Sequence, residues 1–230
     1  VRRIVSWVTG LSENKIHVIK TRVGGGYGSK QDILVEDLTA YASFVTGRPV
    51  LYHNTREEEF IANSTRHPMR VHVKMGGKKD GSITGIYMKV DANTGPYGNH
   101  ALTVPMNSCS KTLPLFKCDN MKYDLTIYYT NTPPAGAYQG YGTPKGTYGL
   151  MMAMCELAEK LGVDYKEMVL KNHVEEGYML EILKGLGEGR EGNVVPVGSC
   201  GLREAVEKGC DMIEWGKREE SGDPDWKIGK

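Results

Sequence analysis

No C-x-x-C pair occurs anywhere in the sequence, and its five cysteines (Cys109, Cys118, Cys155, Cys200, Cys210) are scattered and odd in number. That excludes a disulfide framework and iron–sulfur ligand patterns, and fits reduced thiols in a cytoplasmic protein. No apolar run reaches the roughly eighteen residues a membrane helix needs, and no signal-peptide pattern opens the chain, so no membrane partner is expected. An excess of one charge is also missing: 29 basic residues face 28 acidic ones, a formal net charge of +1. Nothing in that balance calls for nucleic acid, whereas a phosphate-bearing small molecule stays open because a few arginines or amides suffice. There is no internal repeat, no flavin-binding segment and no metal-ligand cluster. The six histidines are scattered and are expected to be structural.

What is present is ordinary globular material, 40% apolar and 25% charged over 230 residues. That length suits one large domain, or one domain and part of a second. The chain opens on Val1 and ends on Lys230 after a Gly/Asp/Pro-rich stretch, so a fragment or processed subunit is expected. Alternation over 15–23 predicts a strand that ends in the Gly24–Gly28 cluster. Leu34, Leu38, Tyr41 and Val45 recur at helical spacing, with Asp32 near the start and Gly47 as the stop. A short strand is expected over Pro49–Asn54. Thr55 with Glu58 matches a capping box.

Residues 69–76 and 82–92 predict a β-hairpin with a basic, solvated tip at Lys78 and Lys79. A loop with one short helix follows over 93–120. Then comes a strand over Lys122–Thr130, with Leu125, Ile127 and Tyr129 on one face. The longest helix is expected from Thr143 to Leu161, burying Leu150, Met154, Leu157, Ala158 and Leu161. On it, Met151, Met152 and Met154 read as core and edge, and Cys155 as a small buried hydrophobe. Asp164 with Glu167 caps a helix through Asn172, and Glu175–Glu176 reads as a solvated turn. The stretch Gly185–Gly198 is expected to be mobile. Residues 202–215 return to helix, with Leu202, Ala205, Val206 and Ile213 inward. The fold class is mixed α/β (α+β), built of β-hairpins and strand–glycine-loop–helix units, and not a doubly wound parallel sheet.

Two segments carry the chemistry. The first, Arg22-Val-Gly-Gly-Gly-Tyr-Gly-Ser-Lys-Gln-Asp32, contains glycines that let main chain approach a ligand closely. Amides at a following helix start favour an anion or polar acceptor. A P-loop cannot be written through it, and G-x-G-x-x-G fails at Ser29. The second, Pro133-Pro-Ala-Gly-Ala-Tyr-Gln-Gly-Tyr-Gly-Thr-Pro-Lys145, places Pro144 at a helix start and two tyrosines where they can face a flat ligand. Either loop alone is also what an ordinary tight turn looks like. Two together, each with aromatics and each opening a helix, point to a ligand cradle.

The first loop resembles the G-G-G-F-G-G-K-[EQ] signature of the molybdenum hydroxylases, the xanthine dehydrogenase/aldehyde oxidase family, with Tyr27 in the Phe place and Ser29 in a Gly place. The second resembles that family's A-F-R-G-[FY]-G-x-P-[QE] segment. The spacing between them, Glu156-Leu157-Ala158 and Gly201-Leu202-Arg203-Glu204 are similar as well. The resemblance implies a molybdopterin cofactor carrying molybdenum, often in a dinucleotide form, with no Cys or His ligand to the metal. Gly25, Gly26, Tyr27 and Gly28 would lie on one side of it, and Ala137, Tyr138, Gln139 and Gly140 on the other. Tyr141 matches an aromatic that stacks on flat substrates, and Gln31 a residue that hydrogen-bonds the ring of purines. Gln139 replaces a common Arg, and no Arg stands between Leu102 and Asn107, where the family has another.

The family's general base, a glutamate far downstream, has no counterpart before Lys230, so no catalytic residue is expected within the chain. Iron–sulfur and flavin groups would sit on other segments or subunits. The implied activity is hydroxylation of an N-heteroaromatic, purine-like compound or an aldehyde with water as oxygen source. Rivals are an aldehyde oxidoreductase, a nicotinate-type hydroxylase, an aryl-CoA reductase subunit and a non-catalytic cofactor-binding or assembly module. Residues 1–175 would form the first half of a molybdopterin-binding domain, and 176–230 the start of a second, truncated lobe.

Overall fold

The computed structural model describes residues 1–186, 191–217, 222, 223 and 225. Part of the 185–198 stretch, namely 187–190, therefore lies outside the described residues; 195–197 is tied by main-chain bonds to Gly177, Tyr178 and Leu180. The helices are α1 (Arg2–Thr9), α2 (Glu36–Thr46), α3 (Arg56–Ala62), α4 (Thr103–Ser110), α5 (Thr143–Leu161), α6 (Tyr165–Asn172) and α7 (Leu202–Met212). The strands are β1 (Thr65–Arg66), β2 (Met69–Gly77), β3 (Ile83–Gly95), β4 (Met121–Tyr129) and β5 (Ala135–Gly136). Strands β2, β3 and β4 form one sheet in that order, and β1 pairs with β5 in parallel. Mixed α/β is the architecture.

Period-2 patterning is strongest along β3, where Ile86, Met88, Val90, Ala92 and Thr94 are buried. The β2–β3 hairpin closes through Lys78 N–H to the Ser82 carbonyl and Gly81 N–H to the Lys78 carbonyl. The capping box at Thr55 and Glu58 is formed from both sides, and Asp164 caps α6 through the Glu167 amide. On α5 Leu150, Met154 and Ala158 are fully buried and Leu157 and Leu161 half-buried.

Several expectations fail for one shared reason: alternation and helical spacing do not supply a partner surface. Neither 15–23 nor 49–54 is a strand, since no described segment pairs with them; Ile19 and Leu51 stand in solvent. The first glycine loop is thus not preceded by a strand. Leu38, Tyr41 and Val45 on α2 are exposed, and the helix starts at Glu36 with Val35 as its cap residue, leaving Asp32 to other contacts. Cys155 is exposed, not buried. Helix α7 ends at Met212; Ala205 and Ile213 are exposed, and only Leu202 and Val206 of the expected stripe are half-buried. Helix α1 was not foreseen, and it packs on α2.

The chain divides into two compact units. One comprises Val1–His72, Met88–Thr112 and Tyr123–Gly149; the other comprises Val73–Tyr87, Leu113–Lys122 and Leu150–Lys230. In the first, the core includes Val90, Val104, Cys109, Ala135 and Ala137. In the second it includes Ile83, Ile86, Leu113, Phe116, Leu150, Met154 and Met168.

The second unit is keyed by one buried amide. Asn172 accepts from Ile83 N–H at 2.8 Å and donates to the carbonyls of Gly81 at 2.8 Å and Met168 at 2.7 Å. It thereby ties the end of α6 to the hairpin turn. Removing it takes this partner from the Ile83 N–H and the Gly81 carbonyl, while the Met168 carbonyl keeps its helical bond. Each buried group left unpaired costs about 1–3 kcal/mol if water does not enter. Asn172→Ala is expected to lower the unfolding free energy by about 3 kcal/mol. Urea unfolding measures this, and an unchanged midpoint would show that water replaces the amide.

A candidate cofactor cradle built by two glycine loops

The two loops singled out in the sequence meet backbone to backbone. Gly28 lies at φ 102°. A Cβ there would collide with the Ala137 carbonyl group and lie 2.6 Å from the Tyr138 nitrogen. Only glycine fits at that conformation and distance. The first loop is folded by its own polar atoms. Ser29 N–H and Oγ both donate to the Gly26 carbonyl, Gln31 N–H to the Gly28 carbonyl, and Lys30 Nζ to the Gly25 carbonyl at 2.9 Å.

The second loop is held by the β1–β5 pair, which registers Thr65 with Ala135 and Arg66 with Gly136. Its exit into α5 is set by close approach: a Cβ at Gly146 would collide with the Ser108 carbonyl of α4. Tight turns then carry the chain through Tyr141, whose N–H donates to the Tyr138 carbonyl at 2.7 Å. Gly25, Tyr27, Gln31, Tyr138, Gln139 and Gly140 are exposed, Gly26, Gly28 and Tyr141 half-buried, and Ala137 buried. The loops bring the two groups of glycine-loop residues together at the Gly28–Ala137 contact. The amides of Gly25, Gly26, Tyr27 and Gly28 donate to no group among the described residues. A contact that only glycine can close, with partnerless amides beside it, leaves main-chain donors available to a polar acceptor.

Backbone strain concentrates here. Among the described non-glycine residues, four have positive φ, and three of them are Tyr27 at 49°, His100 at 50° and Tyr141 at 44°. Such conformations cost of order 1–3 kcal/mol each and persist where surrounding structure over-determines them.

The polar surroundings escaped the sequence reading. Asp32 Oδ1 meets His100 Nε2 at 3.0 Å, and its Oδ2 accepts from Ser64 Oγ at 3.2 Å. His100 Nδ1 lies 2.6 Å from the Tyr141 hydroxyl, which Thr103 Oγ1 also meets at 2.7 Å. Asp32 does not serve a helix start. The Arg66 guanidinium stacks over Tyr138 at 4.3 Å from the ring centre. Its Nη1 is buried without a partner. Lys145 donates to the His67 carbonyl at 2.9 Å, and burial followed by the Arg66 charge pushes it down to about 8. His67 is fully buried, with both ring nitrogens unpartnered. The Gly136 and Asn99 backbones face the ring outside hydrogen-bond geometry, so burial and then the Lys145 charge dominate and depress its pKa to about 4. Only a glycine-loop pattern was available to the sequence; His100, Arg66 and His67 come from segments with no local motif, and Lys145, at the end of the second loop, meets them only in the fold.

This arrangement defines a class. Residues 1–173 match the family described as the molybdopterin cofactor-binding domain, and the chain belongs to that family. Among its relatives is the probable hypoxanthine oxidase XdhD of Escherichia coli (strain K12), 52% identical over 232 residues that cover 100% of this chain and 24% of that protein. The xanthine dehydrogenase molybdenum-binding subunit of Escherichia coli O157:H7 is 35% identical across 95% of this chain and 28% of its own length. The fold matches quinoline 2-oxidoreductase from Pseudomonas putida 86 with a TM-score of 0.78 at 21% identity, covering 93% of this chain and 27% of that one. The chain thus spans about a quarter of the lengths of these relatives. Among the described residues no helix is long and apolar enough to cross a membrane, and no group of histidine, cysteine or carboxylate side chains could hold a metal ion.

His67 gives a pH dependence with a definite sign. Its folded pKa lies below the ordinary value of 6.5, so the unfolded chain binds the extra proton first. Stability from its burial is whole above about 6.5 and is lost as pH falls toward about 4. His67→Phe should flatten that part of the curve in thermal melts between pH 4 and 7. A slope unchanged by the substitution would mean that other groups set it.

Proposed function

We propose that this chain forms the first glycine-loop half of the cofactor site of a molybdenum hydroxylase that oxidises a flat, purine-like N-heteroaromatic compound, with water as oxygen source. The observation that carries the reading is the Gly28–Ala137 approach, which closes both family loops into one cradle. Gly25, Gly26, Tyr27 and Gly28 would donate amides on one side, and Ala137, Tyr138, Gln139 and Gly140 would line the other. When bound, the molybdopterin cofactor supplies the oxygen-transfer and electron-accepting chemistry that no side chain here can provide.

The chain's own residues bind and orient. Gln31 offers a ring substrate both a donor and an acceptor but cannot act as an acid. Tyr141 offers an aromatic face. Gln139 carries no charge, so the loop does not itself select an anionic substrate. The one carboxylate in these loops, Asp32, is engaged by His100 and Ser64, and the family resemblance assigns proton removal to a glutamate downstream. Residues 1–175 are read as the first part of the molybdopterin-binding region and 176–230 as the start of the next, a division supported by the family match ending at 173. Iron–sulfur and flavin groups that carry electrons away are assigned to other segments or subunits. The five unpaired cysteines favour a reducing, cytoplasmic setting.

Full-length protein from the native host should contain about one molybdenum and one pterin per molecule. With hypoxanthine or xanthine in ¹⁸O-labelled water it should place the label in the product. Turnover of aldehydes alone would move the reading to an aldehyde oxidoreductase. Absence of molybdenum and pterin from the full-length protein would sink it.

A further inference from the structure

Tyr141 is held by more hydrogen bonds than an aromatic wall needs. Its hydroxyl lies 2.6 Å from His100 Nδ1 and 2.7 Å from Thr103 Oγ1. The rings of His100 and Tyr141 meet edge to face at 5.6 Å and 81°. Beyond His100 stands Asp32, 3.0 Å from Nε2, itself accepting from Ser64. The Asp32 and His100 side chains are 14% and 24% exposed, so these contacts are only partly screened by solvent.

The proton positions follow from donor and acceptor chemistry. A carboxylate cannot donate, so the hydrogen between Asp32 and His100 sits on Nε2. In neutral imidazole Nδ1 is then the acceptor, and the Tyr141 hydroxyl must donate to it. The phenol has one hydrogen. Thr103 must therefore donate to the phenol oxygen, in preference to the His100 carbonyl at 3.5 Å. One consistent chain results: Asp32 accepts from His100, His100 from Tyr141, and Tyr141 from Thr103. Its members come from two glycine-rich loops and from the segment leading into α4. Both His100 and Tyr141 sit at positive φ, at 50° and 44°, which a side chain adopts only under compensation.

We propose that Asp32, His100 and Thr103 are positioning residues that lock Tyr141, so that it presents a substrate with its ring face and withholds its hydroxyl. The idea rests on the hydroxylase reading above, within which Tyr141 is a substrate contact. It adds a specificity statement. Recognition at this position is by flatness and polarisability, and a substrate gains nothing from a group placed to hydrogen-bond the phenol.

The test uses the full-length protein with its cofactor and the variants Tyr141→Phe, His100→Leu, their combination, Thr103→Val, Asp32→Ala and Asp32→Asn. Two readouts are taken: melting temperature, which needs no substrate, and kcat and KM for the best heteroaromatic substrate. A lock acting as one unit predicts that Tyr141→Phe and His100→Leu each raise KM about tenfold, with a smaller change in kcat. The double variant should be no worse than the poorer single one, in KM and in melting temperature alike. Asp32→Asn can still accept from His100 and should restore most of what Asp32→Ala loses.

Multiplicative KM effects with additive melting shifts would overturn the lock while leaving the hydroxylase reading untouched. Coupled melting shifts with KM unchanged by Tyr141→Phe would overturn the positioning role. A full-length protein without molybdenum would remove the reading and the substrate role with it, and the melting cycle would still decide whether the hydrogen-bond chain exists.

Discussion

The approach of the Gly28 backbone to the Ala137–Tyr138 peptide is the constraint on which the candidate site depends. It joins two loops separated by more than a hundred residues of chain, and it does so without a side chain. A Cβ at Gly28 has nowhere to go. The amides of Gly25, Gly26, Tyr27 and Gly28 keep no partner among the described residues, Tyr27 and Tyr138 are exposed, and Asp32 meets Ser64 and His100. His100 and Tyr141, both at positive φ, are held by hydrogen bonds to each other, to Asp32 and to Thr103.

Around that contact lies a shell of charge that the sequence's near-neutral total conceals. Arg66 over Tyr138, Lys145 against the His67 carbonyl and the unpartnered ring of His67 place cationic and polar groups beside the second loop. On the other side Asp32, His100, Tyr141 and Thr103 form a hydrogen-bonded chain. A net charge of +1 says nothing about how individual charges are distributed.

Legibility followed the range of the interaction. The capping box at Thr55, the Asp164 cap, the β2–β3 hairpin and the limits of α5 were readable because each depends on residues a few positions apart. The paired glycine loops were readable as motifs, and their meeting was implied by the family they resemble. Strands expected at 15–23 and 49–54 were not found, because alternation describes a face and not the neighbour needed to cover it. The helical recurrence of Leu38, Tyr41 and Val45 likewise gave a helix and no cover for its apolar face. His100 was passed over as one of six scattered histidines; its partners Asp32 and Tyr141 lie 68 positions before it and 41 after it, a separation no local pattern encodes.

The most direct test of the account is the pterin and molybdenum content of full-length Gly28→Ala protein beside the unsubstituted protein. If the two loops form one cradle through this contact, cofactor content should fall several-fold while far-ultraviolet circular dichroism stays near that of the parent. Full cofactor content in Gly28→Ala would contradict the account, because the loops would then hold their ligand without the approach that only glycine permits.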